Sequence, residues 1–243
     1  FSVIQESDTL PNSLLVYRSL TELMGGVGIV FLLLAFFQSR KSLNGLRSTL
    51  SIENLGSNLK KMFFSVFAIY GVYIVAFIVV FYFLGFQDLI KTGAFVIDTI
   101  TGGFQPSIQQ FQQYLNIGPK ICILILMFVG SVNFAFNYHL FTFKLKRLFS
   151  LEIVLYLLLI AIGTSLVFFL AKIETVDSLF HVVSMMSSTG YEYINISGLN
   201  DTVLSIFIML MLIGGCAFSM AGGIRISRLV SFGKAIKQSI RGI

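Results

Sequence analysis

Three short stretches of this sequence combine glycine with small or hydroxyl-bearing residues in a way that could hold a partly dehydrated cation. Two share one design: Ile100-Thr101-Gly102-Gly103 followed by Phe104, and Ser187-Ser188-Thr189-Gly190 followed by Tyr191. Glycine permits a tight turn and leaves no side chain between a backbone carbonyl and an ion. Carbonyls gathered in this way replace a hydration shell and need no acid–base or covalent chemistry. The third stretch is Gly214-Gly215-Cys216-Ala217-Phe218-Ser219-Met220-Ala221-Gly222-Gly223, whose glycines lie inside an apolar run and would unwind a helix there. One glycine–aromatic pair alone marks an ordinary turn. Two at matching places in a larger unit are a repeat.

The elements that must position these stretches follow from composition. Hydrophobic residues make up 56% of the chain and charged residues 12%, with a mean hydropathy of +0.89. A soluble domain carries roughly 25% charged residues. Apolar runs near the ~20 residues that cross a hydrocarbon core occur at 14–37, 62–84, 120–143, 151–171 and 203–223. They are continuous instead of alternating, and an open sheet cannot satisfy its edges in lipid, so helices are expected. The opening FSVIQESDTLP has acids and a proline where a secretory leader needs a basic region, so no leader is expected. Cys122 and Cys216 both fall within expected spans, without metal-ligand spacing, and read as thiols packed like small apolar groups.

Charge orients the spans. Arg40, Lys41, Arg47, Lys60, Lys61, Lys144, Lys146, Arg147, Arg225, Arg228, Lys234, Lys237 and Arg241 fall in one set of connections and the tail, with Glu53 and Glu152 among them. The opposite set is acidic, with Glu6, Asp8, Asp88, Asp98, Glu174, Asp177, Glu192 and Asp201 against Arg18, Lys91, Lys120 and Lys172. The positive-inside rule places the N-terminus outside and the C-terminus in the cytoplasm. This asymmetry accounts for the basic pI of about 9.4 without nucleic-acid binding.

The two outer connections carrying the paired stretches begin with apolar segments, 93–99 and 178–186, that are too short to cross a bilayer. Each suits a re-entrant helix whose C-terminal, negative end of the dipole favours a cation. The expected fold is an all-α integral membrane protein of repeated helix–re-entrant pore loop–helix units around a central ion pore. The units are 1–61, the end of a first repeat; 62–147, with a pore loop at 88–117; and 148–243, with a pore loop at 174–201, a glycine-broken fifth span and a basic tail.

The segments SDTLPNSLLVYRSLTELMGGVGIVFLL, ITGGF, VVSMMSSTGY and LIGGCAFSMAGGIRISRLV, in this order, resemble the Trk/Ktr/HKT superfamily of potassium transporters, most closely the prokaryotic TrkH-type pore subunit. The resemblance implies four repeats around one pore, with the first filter and the whole fourth repeat absent from this chain. It implies potassium held at the carbonyls of Gly103 and Gly190, within filters formed by residues 100–103 and 187–190, and a gate at 214–223. It further implies a homodimer in the prokaryotic cell membrane, no cofactor beyond the transported potassium, and a cytoplasmic nucleotide-binding regulatory subunit of the RCK (TrkA/KtrA-like) kind. The basic tail 225–241 is where that contact is expected, although an anionic inner leaflet explains the same charges. Glycine in the two visible filters suits potassium without excluding sodium.

Phe218 and Met220 are bulkier than the family's residues in GGCAGSTGGG. They either plug the pore more tightly or pack against neighbouring helices and stiffen the loop. The plainer account of these glycines is close packing between membrane helices. Asn133 and Asn137, four apart in the third span, are expected to share a helix face. Arg18 and Glu22 are expected to pair. Asp98 either concentrates cations at the mouth or fixes its loop. His139 reads as an interface residue, and 105–113 as a solvent-facing return. No HExxH, GxSxG or Walker loop occurs, so no enzyme is expected. The alternatives are an ion-coupled carrier (K+/H+ or K+/Na+ symport), a sodium-permeable member of the superfamily, or a non-conducting structural subunit.

Overall fold

Long apolar runs in a chain of this composition form helices because every backbone group is then satisfied within its own segment. A computed structural model describes residues 10–39, 59–103, 116–144, 148–194 and 198–241, and these form helices and connecting turns without a strand. Helices α1 (Asn12–Ser39), α2 (Leu59–Phe83) and α6 (Leu151–Ala171) are unbroken, and each is long and apolar enough to cross a membrane. Their outward faces are uncovered and apolar: Phe83 and Phe169 are 82% and 73% exposed. An aqueous surface would not leave so much apolar area open, whereas lipid covers it. The protein is membrane-embedded.

Between α2 and the third span lies α3 (Leu89–Thr101), and after α6 comes α7 (Thr175–Met186). These are the two short helices expected from the re-entrant segments. Asp88 caps α3 by accepting from the Lys91 amide at 3.3 Å. Their environment differs from that of a surface helix, since Phe95, Val96, Ile100, Phe180, Val182 and Met186 are all buried. α3 packs against α1, α2 and the helix that follows it, and α7 packs against α6, the helix after it and the first helix of the third span. The polar return at 105–113 lies outside the described residues.

The third span is not the continuous helix its hydropathy suggests. It consists of α4 (Ile117–Ser131) and α5 (Phe134–Phe141), bent by 112° at the break. Asn133 and Asn137 therefore do not share one helix face. Asn133 caps α5, its side-chain oxygen accepting from the Ala135 amide at 2.8 Å, while Asn137 turns back and donates to the Val129 carbonyl at 3.1 Å. The fifth span is interrupted where its glycines suggested. α8 (Asp201–Ile213) is about 20 Å long at 1.5 Å per residue, short of a ~30 Å hydrocarbon core. It ends at Gly214, and the chain resumes as α9 (Ile226–Arg241).

Candidate functional site

The C-terminal ends of α3 and α7 meet. Gly102, with φ of 80°, ends α3 in the left-handed conformation, and the Gly103 amide reaches back to the Asp98 carbonyl at 2.7 Å, a Schellman closure that turns the chain sharply. A Cβ on Gly102 would lie 3.4 Å from the Ser187 carbonyl and 3.6 Å from that of Ser188. The two stretches singled out in the sequence are therefore neighbours. Tyr191 ties them together: its hydroxyl lies 3.2 Å from Thr99 Oγ1, and its ring stacks on Phe95 with centroids 6.0 Å apart.

After α7 the backbone reverses through Ser188, at φ of 62°, and Gly190, at 70°. The amides of Thr189 and Gly190 both donate to the Ser184 carbonyl, at 3.1 and 3.2 Å, and the Ser184 hydroxyl donates to the Tyr191 carbonyl at 2.8 Å. A serine at positive φ carries strain that its surroundings must offset. Its hydroxyl is held by the Gly222 amide at 3.1 Å, so the third glycine-rich stretch contacts one of the first two directly. Two helix C-termini directed at one region place partial negative charge there, which suits a cation. The Ile100 carbonyl lies close against Gly130, where a Cβ would stand 2.0 Å from its oxygen.

One carboxylate from α1 lines the same region. Glu22 places its carboxylate directly over Gly103, 1.8 Å from where a Cβ would be, and accepts from the Thr101 hydroxyl at 3.4 Å. Arg18 meets Asp98, at 3.3 Å, and its charge also acts on Glu22, the neighbour that helical spacing suggested. Asp98 is only 2% exposed, so it anchors α3 to α1 and is not a freely hydrated charge at a mouth. Near the start of α7, Lys120 pairs with Asp177 at 2.8 Å and lies over the Tyr193 ring, 4.7 Å from its centroid. Burial raises the Asp177 carboxyl, but hydrogen bonds from Lys120 and Tyr193 outweigh it and leave the group below its ordinary range.

The loop 214–223 docks into the break of the third span. A helix end leaves carbonyls without intrahelical partners, and here the loop supplies them. The Met220 amide donates to the Gly130 carbonyl at 3.0 Å and the Cys216 amide to that of Ser131 at 2.9 Å. The Phe218 carbonyl in turn accepts from the Phe134 amide at 3.0 Å, at the start of α5. Phe218 is buried in the core, and Met220 Sδ comes within 3.2 Å of a Cβ position on Gly26 in α1. Of the two readings of these bulky residues, packing against neighbours is the one Phe218 adopts. His139 is buried. Cys122 and Cys216 are unbridged thiols, Cys216 the more deeply buried.

One residue went unnoticed in the sequence. Glu152, 1% exposed, accepts from the Ala217 amide at 2.6 Å and from Asn133 Nδ2 at 3.1 Å. The charge pattern reads it only as one acid among the basic connections. The available signal was its position at the start of an apolar span, where a carboxylate is costly unless it has a task.

A family model described as TrkH, cation transport protein, matches residues 1–242. An uncharacterized cation transporter of Methanocaldococcus jannaschii is 30% identical over 246 residues, covering 100% of this chain and 51% of that protein. The crystal structure of the potassium transporter TrkH from Vibrio parahaemolyticus is similar in fold, with a TM-score of 0.72 at 18% identity, over 97% of this chain and 52% of the other. The chain thus spans about half the length of the relatives it matches.

Proposed function

The chain belongs to the TrkH family of cation transport proteins, and from that premise we infer that the whole protein passes potassium through a channel-like pore. Residues 100–103 and 187–190 are two of its selectivity segments, with coordination from the carbonyls of Gly103 and Gly190, and 214–223 is the gate. One observation carries this reading: two buried re-entrant helices converge by their C-terminal ends, and the glycine loop is hydrogen-bonded to one of the turns they form. Such an arrangement supplies a negative potential, flexible carbonyls and an obstruction at one place. The full protein completes the pore with the repeats this chain lacks, lies in a prokaryotic cell membrane with α9 on the cytoplasmic side, and works as a homodimer with a nucleotide-binding regulatory subunit of the RCK kind.

A proton-coupled carrier is the second reading, and Glu22 favours it. A carboxyl group against Gly103, with Asp98 nearby, is placed to bind a proton beside the cation path. The test is flux of potassium, rubidium and sodium into liposomes holding the full-length protein, with Gly190→Ser and a deletion of 214–223 alongside. The channel reading expects passive potassium and rubidium flux, lower selectivity in Gly190→Ser and higher flux after the deletion. Flux that requires a pH or sodium gradient replaces the channel by a carrier, and absence of flux under any gradient refutes the pore.

A further inference from the structure

We propose that Glu152 is the positioning residue that holds the loop 214–223 in its obstructing place, by bridging it to the break in the third span; this rests on the reading of that loop as a gate. The carboxylate uses both oxygens for the purpose. Oε1 accepts from the Ala217 amide at 2.6 Å, and Oε2 accepts from Asn133 Nδ2 at 3.1 Å. Asn133 cannot rotate away, because its own side-chain oxygen is committed to the Ala135 amide at 2.8 Å. A single anion thus spans the start of α6, the cap of α5 and the middle of the loop.

Hydrogen bonds to an ionised acceptor are about twice as strong as neutral ones, so they dominate the loop's attachment. Beyond the Glu152 bridge the loop is held by backbone bonds of ordinary length, from Cys216 to Ser131, from Met220 to Gly130, from Phe134 to Phe218 and from Ile226 to Gly215, and by the Ser188 hydroxyl bond at 3.1 Å. The Ser227 amide and the Arg225 guanidinium also act on Glu152. Both follow the loop directly, so a pull on α9 is transmitted to the same carboxylate.

The chemistry dictates the variants. Glu152→Gln keeps the shape but brings an amide NH2 against one of two donors. Asn133→Asp instead opposes two carboxylates. The double variant Asn133→Asp with Glu152→Gln restores the bridge between the loop and the break, since the new aspartate accepts from Ala135 and from the glutamine amide, while the glutamine oxygen accepts from Ala217.

The experiment uses full-length protein in liposomes with all cysteines except Cys216 replaced by serine. It measures rubidium flux and, separately, the rate at which N-ethylmaleimide modifies Cys216, which is 0% exposed. Each single variant is expected to raise both by about tenfold or more, the size of one lost charge-assisted bond. The double variant is expected to return both toward wild type, an effect no general loosening of the fold would produce. Unchanged Cys216 modification in both single variants overturns the proposal, as does failure of the double variant to restore it. Faster modification with unchanged flux leaves Glu152 as the holder of the loop and refutes the gate reading instead. Should Glu152→Gln fail to reach the membrane, Asn133→Asp and the double variant decide the matter alone.

Discussion

Replacing Gly130 by alanine puts a methyl group against the backbone of the helix that ends in Thr101-Gly102-Gly103. The new Cβ would lie 2.0 Å from the Ile100 carbonyl oxygen and 3.0 Å from its carbon. Ordinary contact begins at 3.4 Å, so the last turn of α3 must retreat from α4 by about 1.4 Å. No rotamer change relieves this clash, because both partners are main chain. Overpacking of this kind costs about 1–3 kcal/mol, shared between separating the helices and distorting residues 101–103. If about 1.4 kcal/mol of it reaches the coordination of potassium relative to sodium, the permeability ratio falls about tenfold. The assay is rubidium uptake into liposomes in competition with sodium, using the full-length protein and Gly71→Ala as control. Gly71 lies in the middle of α2 with nothing within 4 Å of its Cβ position, so alanine there leaves selectivity intact. Wild-type selectivity and thermal stability in Gly130→Ala would refute the claim that this helix contact sets the geometry of the segment.

Three further outcomes are expected. Gly214 has φ of 70° and ψ of −159°, a region that is essentially glycine's alone, and its Cβ would meet the Gly222 carbonyl at 2.1 Å. Gly214→Ala therefore loses about 3 kcal/mol or more, and the melting point of the purified protein should drop by about 5 °C or more. Arg18→Gln leaves Asp98 buried without its 3.3 Å partner, at a cost of about 3–5 kcal/mol; adding Asp98→Asn should recover more than half of the lost melting temperature. For Asp177, whose carboxyl is held below its ordinary value of about 3.9, the sign of the linkage is that stability is present above that value and lost as pH falls through the lower folded one. The melting-point gap between wild type and Asp177→Asn should accordingly be widest near neutrality and close below pH ~3.9; a gap that persists undiminished in acid refutes the contribution of the Lys120–Asp177 pair.

Membrane residence was legible from composition, because lipid rewards continuous apolar length whatever the partners. The two short helices were nearly so. The expected segments 93–99 and 178–186 lie within Leu89–Thr101 and Thr175–Met186, since an apolar run too short to span must begin and end at visible turn residues. The interruption at Gly214 was likewise written in its glycines. The break in the third span was not. The run through Gly130-Ser131-Val132-Asn133 stays apolar on both sides, and what permits the break is the supply of partners from elsewhere: Cys216 and Met220 amides for the Ser131 and Gly130 carbonyls, and the Phe218 carbonyl for the Phe134 amide. Arg18 meets Asp98 for the same reason, because α3 folds back beside α1 and offers a buried carboxylate. Glu152 shows the limit most clearly, since its partners Ala217 and Asn133 lie 65 and 19 residues away. Hydropathy and local spacing record how each segment meets its solvent. Which distant backbone groups satisfy one another depends on loop closures that only the assembled structure decides.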